Sequence, residues 1–154
     1  MTNELKKLRS ALMDLHRLFL ATLKEEHESK SGDVLNAGAW FQVLVSSPEY
    51  GWVKPFNSLV SDMDALLDLK NISEQDLVIL RHELDNLFFK ESDEVTSFNF
   101  HYRKLFARRH DLMFSHGHLK HAVANLPLKA LPAHADEIRK GWHKTVATKR
   151  TPLN

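Results

Sequence analysis

The chain has 154 residues and no cysteine. That is long enough for one domain burying roughly 70% of its unfolded surface, and it excludes a disulfide scaffold, a cysteine nucleophile and a thiolate metal site. The net charge of +1 conceals a split: residues 1–99 carry −7 (10 Lys/Arg against 17 Asp/Glu), residues 100–154 carry +8 (11 against 3), and seven of the ten histidines follow residue 100. Such asymmetry points to an anionic partner or to contact between the two halves. The chain's pI near 8.1 lies below that of strongly basic nucleic-acid-binding domains, which favours the internal contact.

The N-terminal stretch MTNELKKLRSALMDLHRLFL is charged throughout and lacks the apolar centre of a signal peptide. No run approaches the ~18 apolar residues of a membrane span, so a cytoplasmic protein is expected. Leu5, Leu8, Leu12, Leu15, Phe19 and Leu23 recur every three or four residues, the stripe of a long helix over about 3–28. Thr2 or Asn3 is placed to cap it and Gly32 to end it. Glu26 continues the stripe and His16 lies on its flank; both are expected at the margin of the core.

Asp33 or Asn36 begins a second apolar helix, which breaks at Ser46-Ser47-Pro48. A compact aromatic turn, Pro48-Glu49-Tyr50-Gly51-Trp52, follows, and Pro55 opens a third helix to about Leu69. Phe56, Leu59, Met63, Leu66 and Leu67 mark its inner face. Asp62 lies well around that helix from Asp64 and Asp68, so a solvated acidic face is expected, not a hard-metal site. Ser73 with Asp76 resembles a capping box for a helix to about Lys90. His82-Glu83 is not part of HExxH, because residue 86 is Asn, and a zinc-protease reading is rejected.

Thr96 or Ser97 opens the longest run, about 98–125, with Phe98, Tyr102, Leu105, Leu112, Leu119, Val123 and Leu126 inward; Pro127 and Pro132 stop it. A last, poorly patterned helix is expected through Ile138 and Trp142, weakened by Gly141. The expected architecture is an all-α, single-domain bundle of five or six helices over 1–147, one helix pair bent at Pro48–Pro55, with a basic tail at 148–154.

Residues 101–121, HYRKLFARRHDLMFSHGHLKH, hold five histidines. His118 and His121, three apart on a helix, can chelate a metal ion, but His110 is two turns away and completes no compact site. His101 and His116 fall inside the apolar sector of a single long helix, where a histidine is ordinarily a core residue with one polar partner. With Trp52 they are the candidates for a ligand pocket. Burial is expected to keep His116 neutral at pH 7 unless Glu26, Asp62 or Asp64 faces it. Arg103, Lys104, Arg108, Arg109 and Lys120 are the candidate anion-binding residues, and Arg103, His110 and His121 are expected on one helix face. No helix-turn-helix supports base reading. Glu-x-x-His pairs, GxSxG, GxxxxGK[ST] and GxGxxG are all absent from the sequence, which removes the signatures of a di-iron bundle, a nucleophile elbow and phosphate loops.

The run AWFQVLVSSPEYGWVKPFNSLVSDMD, through Ser47, Pro48, Tyr50, Trp52, Pro55, Leu59, Val60 and Asp64, resembles a family of small uncharacterised bacterial proteins. That family carries an apolar helix, an Asp/Ser-Pro-x-aromatic-x-Trp-x-x-Pro turn and an aliphatic helix containing aspartate. Phe114 to Pro127 is similar to its final helix. The resemblance implies an all-α cytoplasmic protein and brings no catalytic residue with it. The expected function is therefore a non-enzymatic interaction or regulatory module without a cofactor, with an unidentified protein or a second copy as partner. The alternatives are anionic-ligand or nucleic-acid binding through the basic half, and a histidine metal site.

Overall fold

The protein is described by a computed structural model over residues 2–150, with side chains as far as residue 144. Seven α-helices form the described chain: α1 (Asn3–Ser31), α2 (Ala37–Ser46), α3 (Lys54–Leu67), α4 (Glu74–Leu84), α5 (Phe98–Phe106), α6 (His110–Val123) and α7 (Ala135–Arg150). A 3-10 turn (Pro48–Val53) joins α2 to α3, and a π-helical turn (Asp85–Phe89) continues α4. No strand occurs among the described residues. The tail expected at 148–154 lies outside the described residues, apart from the α7 backbone to Arg150.

The expected stripe on α1 is buried from Leu5 to Leu23. The Thr2 hydroxyl accepts from the Leu5 N–H at 3.3 Å, and Gly32 closes the helix at φ 80°, a conformation that a residue without Cβ adopts freely. Asn36 and Ser97 cap α2 and α5 through their side chains. Ser73 and Asp76 form the full capping box of α4.

The helix expected over 98–125 is two helices. The chain leaves helical geometry at Arg109 (φ −130°, ψ 109°), with no proline or glycine between 98 and 116 to announce it. The reason is tertiary. The break lets Tyr102 on α5 meet Phe19 of α1 while α6 packs along α1 on its own axis. The turn at 107–109 folds α6 back antiparallel along α1, seating Leu112, Leu119 and Val123 in the core. Two arginines fasten the corner: Arg108 pairs with Glu26 at 2.9 Å and Arg109 with Glu25 at 2.8 Å. The bundle therefore has one helix more than the six at most that the sequence suggested.

Phe19, fully buried, is the hub of the core. Its ring meets Trp52, Phe56, Phe98 and Tyr102 at centroid distances of 5.7, 5.2, 5.7 and 6.1 Å, within the range of favourable edge and tilted aromatic packing. The 3-10 turn delivers Trp52 to this cluster from one side and α5 delivers Phe98 from the other. Polar residues fix the C-terminal helix. Trp142 is 2% exposed and its indole N–H donates to Asp76 Oδ1 at 2.9 Å. Arg139 bridges Asp62 on α3 and Glu83 on α4, and His143 reaches Asp62 as well. The docking of α7 rests on these specific bonds, which explains the weak apolar patterning of its sequence.

Candidate functional site

Trp52 and His101 meet at the junction of α1, the 3-10 turn and α5. Their rings stack at 4.7 Å and 20°. Trp52 is half-buried, not largely buried as its position between two prolines suggests, because its outer edge forms the wall of a cleft. The His101 Nε2 lies 2.6 Å from the Val95 carbonyl, so Nε2–H donates there. His27 Nδ1 and the Tyr50 hydroxyl, which line the same cleft, are 2.8 Å apart. Burial, with Glu49 and Glu26 nearby, pushes the Tyr50 phenol above its ordinary range, so it stays protonated. The cleft has a volume of about 260 Å³, lined by Leu23 and Leu105 and rimmed by Glu26, Lys30, Glu49, Lys104 and Arg108.

His116 is elsewhere. It lines a separate depression of about 130 Å³ with Phe89, Asn99, Arg103, Phe106 and Lys120. The expected trio Trp52, His101 and His116 is thus not one pocket, because His101 stacks on Trp52 whereas α6 packs His116 against Tyr102 and Phe106 of α5. Its Nδ1 sits 2.8 Å from the Tyr102 hydroxyl, and its ring stacks on Phe106 at 4.9 Å. None of the three expected carboxylates faces it: Glu26 is taken by Arg108, Asp62 by Arg139 and His143, and Asp64 lies 3.1 Å from Arg9; Glu91, which lines the same depression, is paired with Arg103. Burial therefore holds the imidazole below its ordinary pKa, assisted by the positive charges of Lys120 and Arg103. The partner is a phenol whose own ionisation is strongly opposed by burial. His116 and Tyr102 are a neutral, hydrogen-bonded pair at the edge of the core.

The basic candidates are largely engaged with acidic residues of the first half. Arg103 pairs with Glu91 at 2.9 Å, Arg108 with Glu26 and Arg109 with Glu25; Arg109 also reaches Asp111 within its own half. The charge split of the sequence is thus resolved by contact between the halves. Lys104 differs: its ammonium lies 4.2 Å over the Phe100 ring, a cation–π arrangement that leaves its charge facing outward. Arg103 sits on α5 and His110 and His121 on α6, so the face they were expected to share does not exist.

His118 and His121 lie exposed on the outer side of α6. Among the described residues no group of three or more His, Asp or Glu is arranged to hold a metal ion. They border instead a groove of about 580 Å³ between α1 and α6, lined by Ala11, Leu18, Phe114 and Ala122. Phe114 is 72% exposed and Met113 is exposed beside it. The sequence carries a sign of this: Leu112, Met113 and Phe114 in succession are more apolar side chains than one helix face can bury. His27, equally absent from the expected site, lies one turn beyond Leu23 on the α1 stripe, where a polar residue meets the core margin.

No helix among the described residues is long and apolar enough to cross a membrane. No protein family profile, curated protein or solved structure matches the chain.

Proposed function

We propose that the chain is a non-enzymatic interaction module that pairs with a second copy of itself through the outer face of α6. The observation that carries this reading is the exposed Phe114 standing beside the α1–α6 groove with its small apolar lining of Ala11 and Ala122. An isologous contact needs a projection and its recess on one surface, so that each copy fills the other. The rim supports the pairing electrostatically, since Lys7, Asp14 and Asp111 offer both signs for opposition across a twofold axis.

The face is modest. With 14 residues in α6, about 21 Å of length, and α1 about 10 Å to its side, the strip covers roughly 200 Å² per copy, below the size of standard specific complexes. The expected dimer is weak, with a dissociation constant on the order of micromolar. Sedimentation velocity of the full chain up to about 100 μM tests it. Phe114→Ser is expected to give a monomer with an unchanged urea midpoint, since the side chain it removes is mostly solvated. A wild-type chain that sediments as a monomer throughout that range overturns the reading, as does a dimer indifferent to Phe114→Ser.

A further inference from the structure

We infer that the cleft between Trp52 and Tyr50 binds a small planar aromatic carboxylate. The inference is independent of self-pairing, because this cleft lies at the C-terminal end of α1, on residues that the α6 groove does not share.

Two properties of the cleft converge on that ligand class. Its lining is aromatic: Trp52 stacked with His101 and Tyr50 bonded to His27, together with Leu23 and Leu105. A flat ring entering among them replaces water against surfaces that gain little from hydration, with offset or edge packing available on the aromatic rings. Its rim is cationic. Arg108 is neutralised by Glu26, whereas Lys104 is held over Phe100 and makes no ion pair among the described residues. Lys30, in the last turn of α1, lines the same mouth. Against these two ammonium groups stands Glu49 alone, so the mouth favours one negative charge. A volume of about 260 Å³ accommodates one or two fused rings with their carboxylate and is small beside ordinary drug-sized sites of roughly 300–1,000 Å³.

The test follows the three tryptophan indole N–H resonances of the full chain by NMR during titration with 2-naphthoate, with its neutral amide 2-naphthamide, and with inorganic phosphate. The expected result is a saturable shift confined to the Trp52 signal, assigned by its loss in Trp52→Phe. Binding of the amide is expected to be about tenfold weaker, the effect of one charge-assisted contact. Lys30→Gln with Lys104→Gln is expected to bring naphthoate down to the amide's affinity while leaving the free-protein spectrum unchanged. Equal binding of acid and amide overturns the inference, as does a double variant that binds as tightly as the wild type. A shift of Trp40 or Trp142 in place of Trp52, or phosphate binding as tight as naphthoate, overturns it too.

Discussion

Asp76 is the residue whose removal should reach furthest beyond its own helix. It is 7% exposed, and both carboxylate oxygens are used. Oδ2 accepts from the Ser73 N–H at 2.9 Å, closing the capping box of α4, and Oδ1 accepts from the Trp142 indole at 2.9 Å, holding α7. Asp76→Ala removes half of a capping box, about 0.5–2 kcal/mol, and strands a buried indole N–H, a further loss of about 1–3 kcal/mol. The expected total is roughly 2–4 kcal/mol in urea unfolding. Asp76→Asn, nearly isosteric, presents one donor where two are required to accept, so it is expected to cost about 1–3 kcal/mol. Trp142→Phe removes the partner N–H, and a double-mutant cycle of Asp76→Ala with Trp142→Phe should show a coupling of at least about 1 kcal/mol. Strict additivity, or a loss below about 1 kcal/mol for Asp76→Ala, would refute the argument that this carboxylate joins α4 to α7.

The neutral His116–Tyr102 pair gives a pH dependence with a defined sign. The folded pKa is lowered, so the unfolded chain binds more protons as the solution acidifies. The pair's contribution is complete above the unfolded pKa near 6.5 and declines as pH falls through it toward the folded value; unfolding midpoints measured across that window should lose this component in His116→Gln. Phe19→Ala leaves a void against four aromatic rings, and a loss of about 3–5 kcal/mol by chemical denaturation is expected. Arg109→Ala removes pairs with Glu25 and Asp111 that are partly to mostly exposed; its stability change should stay below about 1 kcal/mol and shrink further in high salt.

Much of the bundle is legible in the chain because helices of this kind are specified locally. The α1 stripe, the Asn36, Ser73 and Ser97 caps, Gly32 and the Pro48–Pro55 bend all act within a turn or two of sequence, and each appears where its residues stand. Trp52 and His101 are visible as candidates for the same reason, each being a polar-tipped ring on the phase of a buried face. Tertiary structure alone decided the rest. The break at Arg109 has no local breaker, and only the advantage of folding α6 along α1, with Glu25 and Glu26 waiting at the corner, selects it. That corner in turn resolved the charge asymmetry into pairs and left Phe114 outward. The position of α7 was equally hidden, because Asp76, Arg139 and Trp142 hold it by directional bonds, and a hydrogen bond between residues 66 positions apart leaves no periodic trace in the sequence of either helix.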